Sequence, residues 1–133
     1  MKALYIIDIL KQCRLLDGFD FGVDFVDLSD NYVCVKCKNS DKIIRRYCDG
    51  ESVRGYEFCV IIKFSSKERN NALNTDFCER LAAWILELNK KEFVMGEGFL
   101  PIKISLINGP TSYEDSAKSI KYKMELRLDY MNL

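Results

Sequence analysis

Not one histidine occurs among the 133 residues. That removes the usual general base, the serine and cysteine triads, and the commonest metal ligand. A net charge of either sign is missing too, since 20 basic side chains balance 20 acidic ones. Without an overall field, nothing general draws in nucleic acid or an anionic membrane. No stretch approaches the ~18 apolar residues of a membrane span. The start of the chain does not read as a secretory signal, because Lys2, Asp8, Lys11 and Arg14 interrupt Met1 to Leu16. Gly96-Glu97-Gly98 lacks the third glycine and preceding strand of a dinucleotide fingerprint, and no phosphate-binding loop is present. These absences argue against a hydrolase of ordinary design, a specific nucleic-acid binder and a membrane protein.

What is present is a globular composition. Apolar residues make up 48%, too many for a disordered chain. The length suits a single domain over residues 1–133, large enough to fold without a disulfide or metal staple. The six cysteines are Cys13, Cys34, Cys37, Cys48, Cys59 and Cys78. They fall inside apolar patterns rather than loops, which points to reduced, mostly buried thiols of a cytoplasmic protein.

Periodicity predicts a helix over 2–16, closed by Asp17-Gly18. Alternation then predicts strands over Phe19–Leu28, Tyr32–Lys38, Ile43–Cys48 and Val53–Phe64. Turn clusters separate them at Ser29-Asp30-Asn31, Asn39-Ser40-Asp41 and Asp49-Gly50. Tyr56, Phe58, Val60, Ile62 and Phe64 share one face of the fourth strand, and Cys59 and Ile61 give it an apolar second face. That second face implies cover on both sides or use by a partner. A polar loop over 65–74 leads to a second helix capped by Asn74 or Thr75, with the stripe Phe77, Leu81, Trp84, Ile85 and Leu88. Loops are expected at 92–100 and 108–118, around a strand over Ile102–Ile107. The last strand has the sharpest pattern: Ile120, Tyr122, Met124, Leu126, Leu128 and Tyr130 alternate with Lys121, Lys123, Glu125, Arg127 and Asp129. The order α-β-β-β-β-α-β-β predicts an α+β domain whose mixed, mainly antiparallel sheet packs against two helices.

Little of this pattern carries chemistry. Cys34-Val35-Lys36-Cys37 matches C-x-x-C, but it lies in a predicted strand rather than at a helix start, and positions three apart on a strand face opposite ways. A zinc site needs a second pair that the isolated cysteines do not offer. Glu114-Asp115 sits in a polar loop, where nothing shifts a carboxyl toward acid–base work. No catalytic residue, cofactor or metal ligand is therefore expected. Exposed charge supplies the candidate contacts instead: Arg45, Arg46, Tyr47, Asp49 and Arg54 around the Asp49-Gly50 turn, and Lys121, Lys123, Glu125, Arg127 and Asp129 on the last strand.

The run Ile43-Ile44-Arg45-Arg46-Tyr47-Cys48-Asp49-Gly50-Glu51-Ser52-Val53-Arg54-Gly55-Tyr56-Glu57-Phe58 joins a hydrophobic–basic–Tyr-x-Asp-Gly turn to a small residue, an arginine and an aromatic strand. It resembles a family of small proteins from the tail-assembly region of long-tailed phages and prophages of Gram-positive bacteria, often labelled minor capsid proteins and similar to tail terminators. The resemblance continues through Phe77-Cys78-Glu79-Arg80-Leu81-Ala82-Ala83-Trp84-Ile85, the loop holding Gly109 and the strand Tyr122 to Tyr130. It departs at the cysteines and at the Asn- and Lys-rich loop over 66–74. The resemblance implies a tail-terminator-like fold and a ring, a hexamer, on the head-proximal end of the tail tube. Its partners would be copies of itself, the major tail tube protein and a head-completion or connector protein. It would act in the host cytoplasm during assembly and then in the virion. Another head–tail joining or head-completion role, a cytoplasmic adaptor, and a thiol redox enzyme using Cys34 and Cys37 stand as alternatives.

Overall fold

The computed structural model describes residues 2–23, 31–46, 52–65, 71–91, 99–115 and 119–132. Helix α1 spans Lys2–Leu10 and buries Ala3, Ile6, Ile7, Ile9 and Leu10. It ends earlier than its periodicity predicts. Gln12 and Cys13 donate backbone hydrogen bonds to Ile9 and Leu10, and a 3₁₀ turn follows over Arg14–Leu16. This tighter winding keeps Cys13 and Leu16 buried while the chain bends back toward the sheet. Gly18, at φ +85°, closes the segment as predicted, in a backbone region that L side chains rarely adopt.

Five strands form one mixed sheet in the order β1-β2-β3-β5-β4: β1 (Asp20–Val23), β2 (Tyr32–Arg46), β3 (Ser52–Ser65), β4 (Phe99–Asp115) and β5 (Ser119–Asn132). Among the described residues, only the β1–β2 pair is parallel. Helix α2 (Asn71–Glu87) lies between β3 and β4 in the chain and ends in a 3₁₀ turn over Leu88–Lys90. The α+β class and the mainly antiparallel sheet agree with expectation. The order of elements is instead α-β-β-β-α-β-β.

The missing strand results from a merger. Asn39-Ser40-Asp41 reads as a turn, yet the chain passes straight through it within β2. The long partner β3 offers a continuous template, and register shifts between Cys37 and Asn39, Asn39 and Lys42, and Ile43 and Arg45 absorb the misfitting residues. The same happens at Gly109-Pro110. The predicted loop from residue 108 is part of β4 up to Asp115, with register shifts on either side of Asn108. Residues 24–30, at the end of the first predicted strand, lie outside the described residues, as do 92–98 of the predicted loop.

Alternation sorts the sheet into two faces. Tyr56, Phe58, Val60, Ile62 and Phe64 of β3 are buried with Ile120, Tyr122, Met124, Leu126, Leu128 and Tyr130 of β5, with the inner sides of both α-helices and with Val33 and Val35 of β2. Phe64 packs edge-on against Phe19, Phe77 and Tyr122, tying α2 to the sheet through rings 5.3–6.0 Å apart. α2 starts at Asn71, a turn before the predicted caps, because Asn74 belongs to its buried side (2% exposed) rather than to its end. The buried stripe is Cys78, Leu81, Ala82 and Ile85, with Phe77, Trp84 and Leu88 at its margins.

Asn89 fixes β4 to this helix layer. Its Oδ1 accepts from the Ile104 amide and its Nδ2 donates to the Ile104 carbonyl, both at 2.8 Å. The side-chain amide thus imitates one rung of a β-ladder and closes the outer edge of β4 at that residue. Asn89→Ala should remove both bonds and cost about 1–3 kcal/mol. Urea denaturation reads the loss, and hydrogen exchange at Ile104 should accelerate more than exchange at Leu126; equal rates at Ile104 in both proteins would contradict the assignment.

Candidate functional site: the open face of the sheet

The second face of the sheet is not covered by the helices. Residues of β3 and β5 that point away from the core meet across it: Lys63 lies opposite Lys121, Ile61 opposite Lys123, Cys59 opposite Glu125, Glu57 opposite Arg127 and Gly55 opposite Asp129. On the flanking strands, Lys36 pairs with Cys59, Asn108 with Glu125 and Lys103 with Asp129. Lys121, Lys123, Glu125, Arg127 and Asp129 therefore do share one face, as their alternation predicts. Cations prevail on this face, with Lys36, Lys38, Lys63, Lys121, Lys123 and Arg127 set against Glu57, Glu125 and Asp129.

The most ordered point is Glu125, a carboxylate only 9% exposed. Its Oε2 accepts from the Lys38 ammonium at 2.7 Å and from Asn108 Nδ2 at 2.8 Å. Lys123 Nζ stands 3.7 Å from Oε1. Lys38 reaches it because the register shift after Cys37 takes Lys38 out of the ladder, and its side chain crosses over β3. Three strands are thus clamped by one carboxylate. Hydrogen bonds from Lys38 and then Asn108 hold the Glu125 carboxyl below its ordinary 4.5, and the bond to Glu125 lifts the Lys38 ammonium above its ordinary 10.5. Arg127 and Asp129 form a same-strand pair, with Nε 2.8 Å from Oδ1. Those two atoms are close but poorly aligned, and the hydrogen bond runs from Nη2 to Oδ2 at 3.4 Å.

A small apolar cluster lies within this charged face. Tyr32, Cys34, Cys59 and Ile61 are buried together there, so the second apolar face predicted for β3 exists. Gly22 makes room for it, since a Cβ there would collide with the Tyr32 hydroxyl. Beside the cluster is a depression of about 270 Å³ lined by Lys36, Cys37, Lys38, Cys59, Ile61, Lys123 and Glu125. A second depression of similar size lies at α2, where Asn74 Oδ1 is buried without a partner among the described residues.

The other predicted contact group is only partly described. Arg45 pairs with Val53, and Arg46 with Ser52, so the backbone gathers Arg45, Arg46 and Arg54 at one end of the β2–β3 hairpin. The side chains of Arg45 and Arg46, and all of Tyr47 and Asp49, lie outside the described residues. Arg54 donates from Nε to Ser52 Oγ at 3.1 Å. It lies opposite Tyr130 and shares the strand side of Tyr56, not that of the lysines. Sequence reasoning missed Lys36, Lys38 and Asn108. The first two continue the alternation from Cys34, which was a usable signal; Asn108 was hidden in an apparent turn.

The cysteines separate by burial. Cys13, Cys34, Cys59 and Cys78 are buried thiols and Cys37 is exposed, while Cys48 lies outside the described residues. Burial pushes Cys78 up to about 12 and raises Cys13 and Cys59, the latter despite its lysine neighbours. Cys34 and Cys37 lie in a strand, without the helix start that activates a redox pair. Among the described residues, no three Cys, Asp or Glu side chains converge as metal ligands, and no helix is long and apolar enough to cross a membrane. No family model matches the chain, and no curated protein matches it.

Two outcomes follow from this geometry. Because the Glu125 pKa is lowered on folding, its clamp stabilises the fold above pH 4.5 and is lost as pH falls through the depressed value. Carboxyl titration by NMR should place Glu125 below the exposed carboxyls, and Glu125→Gln should flatten the acid limb of the stability profile. Among the described cysteines, a disulfide reagent at neutral pH should modify Cys37 first, at least about tenfold faster than Cys59 or Cys78. Equal rates for Cys37 and Cys78 in the folded protein would contradict the burial order.

Proposed function

We propose that the chain is a subunit of a phage tail-terminator-like ring at the head–tail junction, where it caps the tail tube and receives the head. One observation carries the reading beyond the sequence resemblance. Neither helix covers the second face of the sheet, and outside its small apolar cluster that face is dressed in charges of both signs, as suits a subunit that must fit copies of itself. The edge strand β4 adds a different surface. Leu100, Ile102 and Ile107 are 44–51% exposed along it, and Asn89 blocks backbone pairing at Ile104. A neighbour would therefore meet side chains there rather than an open ladder.

Ring contacts must be heterologous and close by rotation, which calls for two unlike surfaces on each protomer. The charged face and the apolar edge are two such surfaces. The tail tube protein and a head-completion protein would take the two ends of the ring, and a terminator of this kind can stay monomeric until the tube is present.

The test is assembly. Mixed with the tail tube protein of the same gene cluster, the chain should form hexameric rings at the ends of tubes of finite length in electron micrographs. Tubes that grow unchecked, with no ring at their ends, would overturn the reading. Arg127→Glu should weaken the oligomer by at least about tenfold while the folded monomer survives, as circular dichroism would show. Unchanged sedimentation of that variant would remove Arg127 from the interface.

A further inference from the structure

We propose that the depression between β2, β3 and β5 on the open face is an anion site for one phosphate-type oxyanion. The proposal does not rest on ring assembly.

Three ammonium groups, those of Lys36, Lys38 and Lys123, border the depression, against the single carboxylate of Glu125. Two positive charges are thus in excess over a volume of about 270 Å³. The floor is Cys59 and Ile61, both buried. Cys59 adds no negative charge at neutral pH, because burial raises its pKa. An anion resting there would meet an apolar floor and a cationic rim open to solvent, so its binding should weaken as salt is added.

The rim is also held in place before any ligand arrives. Lysine is a costly residue to immobilise, having four rotatable bonds. Glu125 meets part of that cost in advance. It fixes the Lys38 ammonium at 2.7 Å and stands 3.7 Å from that of Lys123, while Asn108 holds the carboxylate itself. Lys36 has no ion-pair partner among the described residues, although it lies directly across Cys59 from Glu125. Alternation places Lys38 on the same side of β2 as Lys36, and both line the depression; the register shift after Cys37 takes Lys38 out of the ladder. A strand bulge, a buried carboxylate and an exposed cation without an ion-pair partner among the described residues thus converge on one place. An oxyanion of phosphate type fits better than a carboxylate, since its several acceptor oxygens can be shared among the three ammonium groups.

The probes are inorganic phosphate and a short single-stranded oligonucleotide, followed by amide chemical shifts at low ionic strength. Phosphate should shift Lys36 to Lys38, Cys59, Lys123 and Glu125 in a saturable way and leave α2 unmoved. Lys36→Gln should weaken binding by ~10-fold, and Glu125→Gln, whose amide oxygen can still accept from Lys38 and so keep it ordered, should tighten it by adding a unit of positive excess. A purely structural effect of these changes would weaken binding in both variants. If the oligonucleotide binds more tightly than phosphate, with the same dependence on Lys36, the anion is part of a phosphodiester chain; if phosphate binds at least as well, it is a free ion. No saturable shift with either probe, or shifts indifferent to Lys36→Gln, would overturn the site.

Discussion

The ladder between β3 and β5 is the one long pairing in the sheet without a register shift. It runs from Ser52 opposite Asn132 to Ser65 opposite Ser119. Because side chains alternate with period two, a slip of one residue along it would turn one strand over, either sending Phe58 and Val60 outward and Glu57 into the core, or Leu126 and Leu128 outward and Glu125 and Arg127 inward. The helix layer rests on the apolar side of this ladder and the charged face is its other side. Both surfaces therefore exist only in this register, and the hydrophobic loss on slipping, at about 1.5–3 kcal/mol for each large apolar side chain, makes the alternative prohibitive.

The flanking strands behave differently. β2 and β4 carry every register shift in the sheet, and the groups that distinguish the open face depend on those shifts. Lys38 leaves the ladder at one of them, and Asn108 sits between two others. The regular centre supplies Cys59, Ile61 and Glu125 as a fixed platform; the irregular margins supply donors that lean over it. Proposed contacts with copies of the chain and the proposed anion site draw on the same division of labour.

Much of this was legible from residue order. The alternation over 120–130 and 56–64 marked the two central strands and the sides they bury, since the large apolar residues of 120–130 all share one parity and those of 56–64 do so apart from Cys59 and Ile61. The last strand's charges were legible as one face for the same reason. What failed was local turn chemistry. Asn39-Ser40-Asp41 and Gly109-Pro110 are strong turn signals in isolation, but each lies alongside a long strand whose backbone groups need partners, and the sheet absorbs them as bulges. The parallel pairing of β1 with β2 has no signature in either strand. Nor could alternation show that Lys38 would cross β3, because parity gives the side of a strand and not how far a side chain leans over its neighbour. The proposed assembly role draws on residue resemblance and on these surfaces together, not on the core, which any α+β domain of this class would share.

The order of strands has a temporal side. β3 lies in the middle of the sheet, yet its partner β5 follows it by more than fifty residues, with α2 and β4 made in between. During synthesis, Tyr56, Phe58, Val60, Ile62 and Phe64 must leave the ribosome well before the strand that completes their cover. In that interval only β2 and the helices can shield them, and the inner edge of β3 has no backbone partner. The lysines beside that edge, and the polar residues that break the regularity of β2 and β4, then act on the unfinished chain. They make a half-built sheet a poor template for another copy. The features that shape the open face in the finished molecule thus also guard the growing one.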